Sequence, residues 1–302
     1  KLGIQMSTPL AATFRPIAES AVAVVIGLVA GAFLMLVFRY DPARAYAALF
    51  LGAYGSTTGI LETLAFATPL MVTALTFGVG VRAALFNIGS EGQTYLGAIG
   101  AVIVGGAILL PPGIHLIAAT LFGMCFGALW ALPAAILKIW RGVHEVVSTI
   151  MLNWIGVFFV TYLIRTYFAE PGRAERAMPA LPTARYAIIG ESLTTVIFVV
   201  VAFCIAATIL LWRTGIGFEL RLVGDNPEAA KYAGASSSRA ILLSFVVGGL
   251  AAGLAGATQV LGRPPSWTIY ATLGNLINLG FDGIGVALIG RNHPVGGIFA
   301  SI

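Results

Sequence analysis

Apolar residues fall in eight long windows along this chain, at 20–38, 59–81, 94–110, 114–137, 146–165, 193–212, 240–261 and 271–290. A helix needs about 20 residues to cross a hydrocarbon core of ~30 Å, so each window predicts a membrane-spanning helix. The fold class expected is all-α: a polytopic transmembrane helix bundle filling 1–302 as a single domain. The first window is too long for the apolar part of a signal peptide and shows no convincing cleavage site, so it counts as a span. Gly296-Gly297-Ile298-Phe299-Ala300-Ser301-Ile302 turns apolar again and reads as the opening of a ninth span.

The polar interruptions are more specific. Between two windows lies Arg213 to Arg239, and inside it Asp225-Asn226-Pro227-Glu228-Ala229-Ala230-Lys231-Tyr232-Ala233-Gly234 carries its own helix signals. Asn226 is a good N-cap, Pro227 suits the first helical position, and Glu228 sits at the positive end of the helix dipole. Gly234 is placed for a left-handed C-terminal cap. A short rigid helix on the membrane surface is predicted there. The second interruption is Arg82-Ala83-Ala84-Leu85-Phe86-Asn87-Ile88-Gly89-Ser90-Glu91-Gly92-Gln93. Its spans are too close for a loose loop, so the backbone should leave helix geometry at membrane depth, where protein or a water-filled cavity must cover it. Transporters place such breaks beside the transport path.

Only 10% of residues are charged and 59% are hydrophobic. With a mean hydropathy of +0.95, this excludes an ordinary soluble domain, in which about a quarter of residues are charged. The net charge of +5 is accounted for by basic loops facing anionic lipid, and no nucleic-acid partner is called for. With the N-terminus cytoplasmic, Lys1, Arg15, Arg82, Lys138, Arg141, Arg213, Arg221, Lys231, Arg239 and Arg291 lie inside. Arg39, Arg44, Arg165, Arg173, Arg176, Arg185 and Arg263 then lie outside, seven against ten. That orientation follows the positive-inside bias and puts the 226–234 helix in the cytoplasm. Gly27/Gly31, Gly123/Gly127 and Gly249/Gly253 are spaced for close helix approach in lipid. Pro69 and Pro133 should kink their spans. Cys125 and Cys204 read as packing residues within spans, inert when buried.

Glu-Ala-Ala-x-x-x-Gly in the polar insert resembles the coupling-helix signature of ABC-importer permeases. Four further stretches resemble the nucleoside and simple-sugar uptake branch, related to ribose and branched-chain amino-acid permeases. They are Phe86-Asn87-Ile88-Gly89-Ser90-Glu91-Gly92-Gln93, the segment from Gly142 to Asn153, Leu220 to Pro227, and Gly280 to Pro294. Gly285 stands where that family usually has Ala. The resemblance covers roughly residues 60 to 300 in the family's order.

It implies a permease in a bacterial cytoplasmic (inner) membrane whose 213–239 loop couples to a cytoplasmic ATPase through Asp225, Asn226, Pro227, Glu228, Ala229, Ala230 and Gly234. A second permease copy or paralogue and a periplasmic or lipid-anchored substrate-binding protein are the other implied partners. ATP and Mg would sit on the ATPase subunits, with no cofactor in this chain. The solute leans toward purine nucleosides such as guanosine, with simple sugars and a flavin-like vitamin open.

Polar groups at membrane depth are costly and often functional. The candidate pathway residues are therefore Asn87, Glu91, Gln93, Asn153, Asn275, Asn278, Phe281 and Asp282. Glu91 is expected to tie the broken segment to a neighbouring helix or to Arg82. Asn153 divides between a pathway role and a bond across a helix interface. Asn275 and Asn278 are expected one helical turn apart on one face, and Asp282 beside a partner or cavity. Phe86, Trp154 and Phe281 could stack on a base, although packing competes.

No Gly-x-x-x-x-Gly-Lys-[Ser/Thr] occurs, His144-Glu145 lacks the second His of a zinc-protease motif, and His115 and His293 are isolated. No catalytic or metal site is expected. Two readings from other classes remain. One is an ion-driven secondary transporter coupled through a carboxylate such as Asp282; the other is a structural membrane subunit. The outer segment from Ala169 to Glu191 is expected to be a surface loop that docks the binding protein and can be truncated without disturbing the membrane fold.

Overall fold

The computed structural model describes the backbone of residues 9–302 and side chains from residue 21 onward. Lys1 and the Arg15 side chain, which entered the charge count, lie outside the described residues. The chain forms two units, Lys1–Ile60 and Leu61–Ile302.

The first unit holds α1 (Pro9–Val37), α2 (Pro42–Tyr54) and the start of α3 (Thr57–Arg82). Asp41 caps α2, its Oδ1 accepting from the amides of Ala43 at 3.0 Å and Arg44 at 3.2 Å, and Pro42 occupies the first helical turn. The Tyr46 hydroxyl donates to the Leu28 carbonyl. Residues 21–37 bury nothing inside this unit.

The second unit is built on α4 (Ser90–Ala107), α5 (Ile114–Arg141) and α10 (Ser237–Leu261), which pack on one another. Here the small residues act as the spacing predicts. A Cβ on Gly123 would lie 2.9 Å from the Gly97 carbonyl, and one on Gly253 would lie 2.8 Å from the Met124 Cα and carbonyl oxygen. Gly127 meets the Gly249 carbonyl more closely still. Backbones at this range gain dispersion contact that larger residues would prevent. By contrast, a Cβ on Gly27 would meet nothing within 4 Å. A Cβ on Gly31 of the same pair would meet only the Tyr46 hydroxyl of α2, at 2.9 Å, and no facing backbone among the described residues.

Around this centre stand α6 (Glu145–Leu163, continued by a π turn at Ile164–Phe168), α7 (Val196–Arg213), α8 (Gly215–Asp225), α9 (Pro227–Tyr232), α11 (Leu279–Ile289) and α12 (Pro294–Ala300). Thr57–Arg82, Ile114–Arg141, Glu145–Phe168, Val196–Arg213 and Ser237–Leu261 are long and apolar enough to cross a membrane. Helix α4 has 18 residues and is buried along most of its length. Pro69 and Pro133 lie inside α3 and α5.

Three expectations need correction. The 271–290 window is helical only over Leu279–Ile289, with turns before it. Leu273 and Asn278 take left-handed backbone, at φ 55° and 66°, so Asn275 and Asn278 do not share a helix face. Cys204 is buried, but Cys125 is exposed.

The outer segment is also less loose than expected. It forms a hairpin of β1 (Ala169–Glu170) and β2 (Arg173–Ala177). Ala177 donates to Ile269 at 2.9 Å, Ala180 to Trp267 at 2.7 Å, and Ala271 to Glu175 at 2.8 Å. Ala177, Ala180 and Ala184 are fully buried. Truncating the whole segment would open this core.

Candidate functional site

The break between α3 and α4 spans residues 83–89 and is largely buried. Its polar residues hold it together. Asn87 Oδ1 accepts from the Gly89 amide at 3.0 Å and from Gln93 Nε2 at 3.2 Å. Asn153, projecting from α6, donates to the Ile88 carbonyl and accepts from the Gly92 amide, both at 2.9 Å. It thus bonds across a helix interface. Glu145, at the start of α6, accepts from Lys138 Nζ at 2.7 Å and from the Phe86 amide at 3.4 Å.

Glu91 reaches further. Its two carboxylate oxygens each accept from a backbone amide, Asn278 and Gly280, at 2.6 Å, and the Tyr95 hydroxyl donates to Oε1. The carboxylate lies in the first turn of α4 and caps the start of α11. Two helix N-termini therefore surround one buried negative charge, as the helix dipole favours. Close approach requires Gly280, whose Cβ would collide with the Glu91 backbone and lie 2.8 Å from Oε2. Arg82 does not pair with Glu91. It donates to the Arg291 and Asn292 carbonyls at 3.1–3.3 Å and lies over the Trp212 ring.

Beside Glu91 opens a cavity of about 240 Å³. Glu91, Asn153, Asn278 and Phe281 line it together with Tyr95 and Trp154. Trp154 and Phe281 are 62% and 44% exposed, so their rings stand at an open side formed by α6 and α11. Asn87 and Gln93 are buried against each other and line no cavity described here. Asn275 and Asp282 line a second, larger cavity of about 770 Å³. Asn275 is largely engaged with its own turn, donating to the Thr268 carbonyl at 3.1 Å and accepting from the Tyr270 amide at 3.4 Å. The predicted pathway residues are thus divided between two cavities and a structural pair. Tyr95 on the cavity beside Glu91, the inner cavity, and Gln259 on the larger one, the outer cavity, were overlooked. Gln259 showed the signal that singled out Asn153, a polar residue within an apolar run.

In the polar insert the local expectations hold in detail. Asn226 Oδ1 accepts from the Ala229 amide at 3.0 Å, Pro227 opens α9, and Gly234 has φ +82°. Asp225 closes α8, a helix capped by Thr214 that the sequence reading did not separate. Glu228 and Ala229 are exposed, whereas Ala230 is fully buried in the cluster that holds Leu220, Val223 and Phe245. On the hairpin, the hydrogen bond and charge of Arg176 hold the Glu170 carboxyl below the usual carboxylate range. Among the described residues, no group of His, Cys, Asp and Glu is placed to hold a metal.

A family model described as the permease component of the branched-chain amino acid transport system matches residues 59–302. The chain is 34% identical over 302 residues to the nucleoside ABC transporter permease protein NupB of Lactococcus lactis subsp. cremoris, covering 95% of this chain and 82% of the relative. It is 36% identical over 286 residues to the guanosine ABC transporter permease protein NupP of Bacillus subtilis, covering 93% and 81%. It is 31% identical over 287 residues to the glucose ABC transporter permease protein TsgB13 of Haloferax volcanii, covering 90% and 74%. No solved structure matches it. With five helices among the described residues able to cross a membrane, and the match over most of its length, this chain is a multi-pass membrane protein of that ABC permease family.

Proposed function

We propose that this chain is the pore-forming subunit of an ABC importer that moves nucleosides, guanosine foremost, inward across a bacterial inner membrane by alternating access. The observation that carries the reading is the inner cavity. Two aromatic rings, Trp154 and Phe281, flank the Asn278 side-chain amide, which suits a planar base that stacks on one face and hydrogen-bonds at its edge. The nucleoside and guanosine permeases among its relatives support the same solute class. A second permease chain would cover the open side formed by α6 and α11.

The drive comes from elsewhere. ATP and Mg would be bound by cytoplasmic ATPase subunits, and the exposed Glu228 and Ala229 give α9 a face for them to press. Buried Ala230 transmits that push into α8 and α10. Helix α10 then runs unbroken from Ser237 beside the coupling loop to Leu261 at the far end. Asp225, Asn226, Pro227 and Gly234 fix the shape and angle of α9. A binding protein would deliver solute at the hairpin end.

The test is uptake of labelled guanosine into proteoliposomes holding the permease, its co-purifying ATPase and its binding protein. Uptake that requires ATP is expected. Uptake driven by an ion gradient without ATP would replace this reading with secondary transport. The glucose permease among the relatives favours a second solute, and labelled glucose carried in place of guanosine would move the assignment to sugars.

A further inference from the structure

The outer cavity is lined by polar groups that the fold leaves without hydrogen-bond partners. Gln259, on α10, is 6% exposed and lines this space, yet its amide makes no hydrogen bond among the described residues. Ser192 Oγ and Arg263 Nη1 are buried without a hydrogen-bond partner. The Arg263 guanidinium rests 4.0 Å over the Phe66 ring with the charge of Glu62 nearby. A buried polar group without a partner costs stability, and native proteins rarely leave several around one space. Here two such atoms lie on a cavity of about 770 Å³ that Gln259 and the carboxylates of Glu62 and Asp282 also line.

We infer that this cavity is an entry subsite for the sugar half of the solute, a neutral ring bearing a vicinal diol. The inference rests on the nucleoside reading above. A hydroxyl both donates and accepts, so a diol can give its protons to Asp282 or Glu62 and take hydrogen bonds from Gln259, Ser192 and Arg263. Arg176, at the rim, is occupied by Glu170. Two carboxylates against one remaining guanidinium leave the space net negative, which disfavours phosphorylated solutes and suits uncharged ones.

Position agrees with an entry role. Glu62 lies near the start of α3 and Arg263 just past the end of α10, whereas the 213–239 loop leads into the opposite end of α10 and its Gly224 lies against Arg82 at the opposite end of α3. Ile277 lines both cavities, so the diol would dock at the outer site before the base passes this residue to the two rings inside.

The experiment is equilibrium binding of labelled guanosine, ribose and 2′,3′-dideoxyguanosine to the purified permease–ATPase complex, comparing wild type with Gln259→Leu and Ser192→Ala, with Tm measured without solute. Gln259→Leu should weaken guanosine and ribose about ten-fold while Tm stays level or rises, because the variant removes an unpartnered amide. Dideoxyguanosine should bind wild type poorly and be indifferent to the substitution. Equal guanosine binding by wild type and Gln259→Leu, dideoxyguanosine binding as tightly as guanosine, or no binding of either diol would overturn the subsite. If Gln259→Leu fails to assemble, Ser192→Ala carries the same comparison. Wild type that binds ribose but not guanosine would sink the nucleoside reading, and ribose affinity in the variants would still decide the subsite.

Discussion

The inner and outer cavities look alike as lists of polar residues and differ in how those residues are bonded. On the inner cavity Glu91 accepts from two amides and a hydroxyl, and Asn153 uses both ends of its amide. On the outer cavity Ser192 Oγ and Arg263 Nη1 are buried without a hydrogen-bond partner, and Gln259 faces the same space. Polarity at membrane depth marks importance, but it does not distinguish a residue that holds the fold from one that waits for a ligand. Hydrogen-bond satisfaction does.

The largest break in this comparison should come from Glu91→Ala. It leaves the Asn278 and Gly280 amides and the Tyr95 hydroxyl without an acceptor, and losing one partner of such a buried charged cluster costs about 3–5 kcal/mol. Folded yield in detergent should collapse; recovery of wild-type yield and Tm would show that the capping bonds do not hold α11. Gly280→Ala should damage the same junction from the other side, since its new Cβ has no space beside Glu91. Asn153→Leu comes next. Stranding the Gly92 amide and the Ile88 carbonyl should cost about 1–3 kcal/mol, read as a lowered Tm of the complex.

Gly234→Val should act on transport more than on stability. A Cβ there would meet nothing within 4 Å, so the whole effect is the strain of a β-branched residue at φ +82°, about 1–2 kcal/mol. ATP-driven uptake should fall out of proportion to the small drop in Tm, and normal uptake would remove Gly234 from the coupling path.

The smallest effect is at His293, whose Nδ1 accepts from the Val295 amide at 3.2 Å and caps α12. Burial, with positive Arg82 nearby, pulls this imidazole below its ordinary value. A depressed histidine contributes stability that is present above the unfolded pKa and lost as pH falls through the folded one. Protonation also ends the cap, worth about 1 kcal/mol. Wild-type Tm should therefore drop relative to His293→Asn as pH falls below about 6.5, and parallel pH profiles would contradict the cap's role.

Much of α9 was legible because its capping signals are local. Asn226, Pro227 and Gly234 act within a few residues of themselves. The turn before α11 was misread for the opposite reason. Leu273, Leu276 and Ile277 look like one more apolar helix, but the Asn278 amide finds its acceptor 187 positions away on Glu91. Nothing in the local sequence announces that capture. The glycine pairs teach a similar lesson. Gly123/Gly127 and Gly249/Gly253 meet because each faces the other's backbone, whereas Gly27 has the same spacing and meets nothing within its unit. Gln259 was visible as a polar residue in an apolar run, but its lack of a partner is a fact of packing.

The most direct test of this account sets one residue from each cavity side by side, as Asn153→Leu and Gln259→Leu in the permease–ATPase complex, with Tm measured with and without saturating guanosine. A bound solute raises Tm by mass action. The account predicts that Asn153→Leu lowers the resting Tm. It predicts that Gln259→Leu keeps or raises the resting Tm and loses most of the guanosine-induced rise. A lowered resting Tm in Gln259→Leu with the guanosine-induced rise intact would show that the outer amide holds the fold, and would contradict the division drawn between the two cavities.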